Sequence, residues 1–473
     1  MSNPEIDLLS IKRGTVTAPA GCGKTHLIAN ALGRHTEAKP ILVLTHTNAG
    51  VAALRARLDR AGVSAKRYRL STIDGWSMRL ALMFPQRGGC ETKVLELKNP
   101  GHDYPAIRNA AINLLCGNHI SDIIAATYSR LIVDEYQDCS YPQHAIVMAV
   151  AEVLPVCVLG DPLQAIFGFG GDKLPDWSSE VCEGLPLIGE LKNPWRWTNA
   201  GTPEFGEWLL SIRHNLLSCQ PIDLKTAPKN VQWVETDGKD DHTKRLDAIN
   251  AMRRAREHKV IVIADSRNKR GQQLFASQIR GASTVEAVDL RDLTDFAATF
   301  DPGSRSAFPT VISFANKVMT GINYTDLVAR LKSIHAKTNR LEPSHAELAC
   351  FEMLQKKDYQ STADLLVALN SQAGTHVYRP AVFRACLRAL QMCAGDSGVT
   401  FSNAAIQMRE QNRLIGRPLP GVAVGSTLLV KGLEAECAII LETDLMNANN
   451  LYVAMTRGSI SLAVCSGSSI INT

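Results

Sequence analysis

The chain has 473 residues, enough for two to four domains, and 45% hydrophobic against 21% charged residues is ordinary for a soluble globular protein rather than a disordered or fibrous one. A net charge of +5 permits a nucleic-acid partner without arguing for one. The twelve cysteines form no CxxC pair, which speaks against a zinc ribbon or an iron–sulfur cluster and for free thiols in a reducing cytosol.

The N-terminal residues lack the basic-then-apolar pattern of a signal peptide, and no apolar run reaches membrane-spanning length. The expectation is a cytoplasmic protein with no membrane contact. In chain order, Gly14–Ala18 reads as a buried strand, followed by a glycine-rich loop and a helix over Lys24–Leu32. Ile41–Thr45 is a second strand, with a helix over Ala49–Leu58; Arg130–Asp134 and Val156–Gly160 are further strands. Continuous apolar runs separated by helices predict a parallel sheet covered on both faces, hence an α/β fold. Between residues 85 and 129 prolines and glycines break that rhythm, and a helical stretch around Ile107–Leu115 follows. Val231–Glu235, Lys259–Ala264, Cys437–Leu441 and Ser461–Cys465 resume the strand pattern. Between residues 290 and 412 the spacing is helical instead, over Tyr324–Ile334, His345–Leu354, Thr362–Leu369 and Pro380–Met392.

Ala18-Pro-Ala-Gly-Cys-Gly-Lys-Thr25 follows a strand and opens a helix, the context a phosphate-binding loop requires. Ala20, Gly21, Cys22 and Gly23 supply backbone NH groups, Lys24 can reach the β- and γ-phosphates, and the Thr25 hydroxyl can ligate Mg²⁺. Downstream, Leu131-Ile-Val-Asp-Glu135 carries Asp134 to a strand tip, where it can hold Mg²⁺ through water. Glu135 beside it can polarise an attacking water as general base. A base beside a phosphate loop points to nucleotide hydrolysis rather than mere binding.

Asp134-Glu-Tyr-Gln-Asp138 with Gln143 resembles motif II of the UvrD/Rep/PcrA-type superfamily 1 helicases. Six further segments resemble that family in the same order. They are Val43–Ala49 (motif Ia), Ser71–Trp76, Leu159–Gly171 (motif III), Leu191–Arg196, Val430–Glu434 (the KGLE core of motif V) and Leu451–Arg457 (motif VI). The resemblance implies two RecA-like domains with parallel sheets, a small insertion in the first and an all-helical insertion in the second. The implied boundaries are 1–84 and 130–200 for domain 1A around an insertion at 85–129. Domain 2A takes 201–289 and 413–473 around a helical insertion at 290–412.

It implies an ATP-dependent DNA helicase or single-strand translocase of 3′-to-5′ polarity, burning ATP at the 1A/2A cleft. Gln164 would sense the γ-phosphate, Arg196 and Arg457 would be arginine fingers, and Glu434 would bind the ribose. Thr45, Thr47 and Asn48 would hold DNA phosphates. His46, Trp76, Phe167, Phe169 and Trp197 are candidate platforms for stacked bases. The implied partner is single-stranded DNA or a single-strand/duplex junction. Arg379, Arg384 and Arg388, then Arg409, Arg413 and Arg417, could flank DNA, although a solvated helix face is the blander reading.

The chain departs from the family where DNA is handled. Phe169-Gly170 replaces the usual Trp-Arg, Leu428 and Asp74 replace histidines, and no glutamine precedes the phosphate loop. The hydrolytic residues are intact, so ATPase activity is the firmer expectation and unwinding the weaker one. In size and motif set the chain is similar to the helicase component of Gabija-type antiphage systems, which works beside a nuclease. With no nuclease-like acidic cluster after motif VI, any cutting would fall to a partner. A DNA-gated ATPase regulating such a partner is therefore the alternative. A non-motor P-loop kinase or GTPase would leave Arg196, Glu434 and Arg457 unexplained.

Overall fold

The computed structural model describes residues 6–97, 99–168, 173–254, 258–285, 290–395, 398–414 and 421–472. The chain divides into two compact units, residues 1–235 with 443–473, and residues 236–442.

The first unit is built on a six-stranded sheet. Its strands are β1 (Arg13–Thr17), β2 (Ile41–Thr45), β3 (Tyr68–Thr72), β4 (Leu131–Val133), β5 (Val156–Gly160) and β6 (Leu187–Glu190), in the order β3-β2-β4-β5-β1-β6. Every pairing is parallel. Because successive strand residues face opposite sides, the apolar runs feed two cores at once. Leu42, Leu44, Leu131, Val133, Val156 and Val158 pack into one. Ile41, Val43, Ile132, Cys157 and Leu159 pack into the other. This is the two-faced α/β arrangement that the continuous apolar runs predicted.

The same unit carries helices α1 (Lys24–Arg34), α2 (Asn48–Arg60) and α3 (Ile73–Met83). In the small insertion a 17-residue helix runs over Pro100–Cys116. It starts seven residues before the predicted stretch, because Pro100 occupies its first turn and the Asp103 carboxylate accepts from the Asn99 NH at 2.8 Å. Strand Gly458–Ser466 pairs in parallel with Val231–Glu235, again within the first unit.

In the second unit four strands run parallel in the order Ala282–Thr284, Val422–Gly425, Val260–Ile263, Ala435–Ile440. Among the described residues seven helices lie between residues 291 and 414. They surround a core in which Phe296 stacks on Phe314 with centroids 4.3 Å apart and meets Phe401 edge-on. One antiparallel bridge, Met319–Thr320 with His376–Val377, interrupts the helical region. Arg379 is not a DNA-flanking residue: it is 3% exposed, ion-paired with Asp292 at 2.8 Å and bonded to the Lys317 carbonyl. Arg417 lies outside the described residues.

Candidate active site

In a parallel sheet all carboxyl ends share one edge, and α/β proteins place their ligands along it. Six of the predicted segments follow the carboxyl ends of the six strands of the first unit. Ala18–Thr25 follows β1, Thr45–Asn48 leaves β2, Ile73–Trp76 follows β3, Asp134–Asp138 follows β4, Asp161–Gln164 follows β5 and Leu191–Arg196 follows β6. Residues scattered over 180 positions are thereby gathered on one rim.

The phosphate loop turns through left-handed glycines, φ 70° at Gly21 and 90° at Gly23. The Gly21 site also admits no side chain. A Cβ there would stand 2.5 Å from Trp197 Cζ3 and 2.9 Å from Arg196 Cβ. The loop opens α1 at Lys24, so free backbone NH groups face the rim. Between the glycines, the Cys22 thiol is buried and burial pushes it up to about 12, which leaves it an inert packing group.

Lys24 Nζ lies 3.0 Å from Asp134 Oδ1 and 2.5 Å from Glu135 Oε1. Burial alone would drive its amine down; the two carboxylates outweigh that and hold it above its ordinary value. Glu135 sits in the left-handed region at φ 56°, a conformation that non-glycine residues adopt at a cost and that clusters at functional sites. Its second carboxylate oxygen accepts from Gln137 Nε2 at 2.6 Å, and Gln137 Oε1 accepts from the Asp161 NH at 3.1 Å. Gln164 Nε2 in turn donates to Asp161 Oδ2 at 2.9 Å.

The Arg196 segment joins the same rim. Its NH donates to the Gly21 carbonyl at 3.1 Å, and its guanidinium donates to the Thr456 carbonyl at 2.7 Å. Arg457 is 3% exposed and donates to Val453 O and Thr456 Oγ1 at 2.8 and 3.0 Å. Thr25 is half-buried beside Lys24. Glu434 belongs to the second unit, exposed at the entry to strand Ala435–Ile440. Among the described residues no cluster of three or more His, Cys, Asp or Glu side chains could hold a metal by itself.

The nucleic-acid candidates divide sharply. Trp76 and Trp197 are each 1% exposed, against the expectation of stacking platforms. Trp197 sits between the phosphate loop and Phe205, and its Nε1 donates to the Gly458 carbonyl at 3.0 Å. A ring packed on both faces has none left for a base. Thr45 is buried with its hydroxyl unpartnered, and Thr47 Oγ1 caps α2 by accepting from the Gly50 NH at 3.0 Å. Asn48 is exposed. His46 and Phe167 are half-buried with ring centroids 5.3 Å apart. Phe169 lies outside the described residues.

Several residues at the rim were not singled out from sequence. Asp161 and Gln137 sat inside recognised motifs without an assigned role. Asn449, whose Nδ2 donates to the carbonyls of Pro162 and Ala165 at 2.9 and 3.0 Å, lay just before motif VI. Arg213 had no sequence signal at all.

Residues 7–170 match the AAA domain family. No curated protein matches the chain closely enough to count as a relative. Among solved structures, arterivirus nonstructural protein 10, titled a helicase in complex with DNA, is similar at 10% identity and a TM-score of 0.35. The match covers 96% of this chain and 61% of that one, and so loose an overlay says nothing of activity. Among the described residues no helix is long and apolar enough to cross a membrane.

Proposed function

We propose that the chain is a UvrD/Rep/PcrA-type superfamily 1 DNA helicase or single-strand translocase, coupling ATP hydrolysis to 3′-to-5′ movement on single-stranded DNA. The observation that carries the reading is the Lys24 ammonium held between Asp134 and Glu135 at the mouth of the phosphate loop. An arriving γ-phosphate competes with the two carboxylates for that amine. As Lys24 turns to the phosphate, Glu135 loses its cation and becomes free to accept a proton from the attacking water. Gln137 keeps hold of the other Glu135 oxygen, so the base is released without being set adrift.

Mg²⁺, held by the Thr25 hydroxyl and by Asp134 through water, would neutralise charge on the phosphates. Arg196 and Arg457 then supply positive charge to the phosphoryl group in flight. Arg457 must leave the carbonyl of its own helix to do so, which makes it a switched group rather than a fixed one. The His46–Phe167 pair beside Asn48 supports a single-strand track on the same rim.

The test is ATP turnover with and without single-stranded DNA, RNA and duplex, together with strand displacement. Turnover stimulated by single-stranded DNA and accompanied by displacement is expected. Stimulated turnover without displacement would favour the DNA-gated ATPase that regulates a partner nuclease. No ATP turnover under any of these conditions would sink both readings.

A further inference from the structure

Asp161, the first residue past β5, is fully buried and makes an unusual number of bonds. Its Oδ2 accepts from Gln164 Nε2 and from Arg213 Nη1, each at 2.9 Å. Its Oδ1 accepts from the Leu163 NH at 3.2 Å, and its own NH reaches Gln137, which holds Glu135. One aspartate therefore sits between the candidate base and the candidate phosphate sensor.

Arg213 comes from helix Pro203–Leu217, far from any recognised motif, and is 7% exposed. Its guanidinium lies 5.0 Å from the Tyr452 ring centroid. Tyr452 belongs to helix Ala448–Met455, the helix that Arg457 follows, and Asn449 on that helix grips the Pro162–Ala165 turn. The turn is thus held by the Asp161 carboxylate on one side and by the Asn449 amide on the other, and Arg213 touches that carboxylate and Tyr452 on the helix that bears the amide. Stability alone does not call for such an arginine. A buried ion pair is often matched or bettered by apolar side chains of similar volume. What apolar side chains would lose is the fixed direction of the Asp161 carboxylate, and with it the direction of Gln164.

We propose that Arg213 is a positioning residue for hydrolysis, orienting Gln164 directly through Asp161, with Glu135 kept in register through Gln137, and tying both to the helix that leads to Arg457. The inference rests on the hydrolytic reading above.

Its test compares Arg213→Met, Asp161→Asn and the double variant in the full chain. Three readouts are needed: denaturant midpoint, affinity for a fluorescent ATP analogue, and steady-state ATP turnover. Each single variant strands a buried partner and is expected to lose stability. The double variant removes both charges and is expected to recover its midpoint and to bind the analogue as wild type does. Its kcat is expected to stay about 10²-fold down, the scale that small misplacement of a reacting group produces. A double variant with restored midpoint and wild-type kcat would reduce Arg213 to a structural role and overturn the proposal. So would a loss carried wholly by weaker nucleotide binding. Wild-type protein without turnover would instead sink the hydrolytic reading, and this inference with it.

Discussion

The Arg196 guanidinium donates to the carbonyl of Thr456 across 2.7 Å, joining the segment after β6 to the residue that precedes Arg457. Two arginines implied to serve one phosphoryl group are therefore close to one another in the fold. Arg457→Ala is expected to lower ATP turnover by about 10³-fold or more, as loss of an arginine finger does. Nucleotide affinity should be largely kept. Because the Arg457 side chain also bonds the Val453 carbonyl near the end of helix Ala448–Met455 and the Thr456 hydroxyl, a fall in melting temperature should accompany the change. Turnover is read in single-turnover assays; an undiminished rate in a folded Arg457→Ala protein removes the finger role.

Lys24→Ala takes the ammonium from between two carboxylates on adjacent residues. Hydrolysis is expected to vanish while circular dichroism shows the fold retained. Glu135→Gln keeps only one of the two acceptors that Lys24 and Gln137 use; it should still bind ATP, yet fail to turn it over. Measurable steady-state hydrolysis at the wild-type rate in Glu135→Gln would mean that the base lies elsewhere.

Asp74 stands where the helicase family carries a histidine, and its surroundings give a physical reason. Both its oxygens take Arg108 in a fork, at 2.7 and 2.8 Å, and Oδ1 also accepts from Gln143 Nε2 at 3.1 Å. The aspartate thus pins α3 to the long helix of the small insertion and to the helix after the acidic motif. Asp74→Ala should destabilise the first unit by about 3–5 kcal/mol, the cost of leaving a buried partner charge uncompensated. Arg108→Met with Asp74→Leu should recover much of that loss. Urea midpoints decide it; an unchanged midpoint in Asp74→Ala would show the fork to be idle.

How much of this was legible in the sequence depends on where each residue drew its signal. The strands β1, β2, β4 and β5 were plain because both faces are buried, so their apolar runs are continuous. Tyr68–Thr72 and Leu187–Glu190 were missed because they are edge strands. Arg69 and two half-buried or exposed faces break the apolar run in the first, and Leu187 and Ile188 are largely exposed in the second. Lys24, Asp134 and Glu135 stood out as candidates because the chemistry proposed for them demands fixed spacing from a strand end. Trp76 and Trp197 were misread because an aromatic inside a nucleic-acid motif looks the same in sequence whether its faces are packed or bare. Arg213 was invisible because a long side chain can reach a buried carboxylate from any helix, with no spacing rule to betray it.

Acid sensitivity has a local source in Asp176. Its carboxylate accepts from the NH and hydroxyl groups of Ser179 and Ser178, at 2.8–3.0 Å, which holds it well below the usual carboxylate range, at about 2. A folded value depressed below an unfolded one of about 3.9 contributes stability that is present above the unfolded value. The contribution is lost as pH falls from about 4 toward 2. Asp176→Ala should lower unfolding free energy by on the order of 1 kcal/mol at neutral pH, as loss of a helix cap does. The gap from wild type should narrow through that acid window. Urea titrations at successive pH values test it, and a gap independent of pH would assign the effect to something other than the ionised carboxylate.

The remaining prediction concerns the track. With Trp76 and Trp197 spoken for by the core, the proposed base stacking would fall to the half-buried rings of His46 and Phe167, which meet at 5.3 Å beside the exposed Asn48. A stacked base is worth about 1–3 kcal/mol by alanine substitution and is indifferent to sequence. Phe167→Ala should therefore weaken binding of a single-stranded oligothymidylate by roughly five-fold to a hundred-fold, and oligoadenylate by a similar factor. Asn48→Ala should lower affinity modestly and leave the slope of affinity against salt unchanged, because a neutral amide releases no counterions. Fluorescence anisotropy across a salt series reads both variants. If Phe167→Ala binds both oligonucleotides as wild type does, single-stranded DNA does not run over this rim.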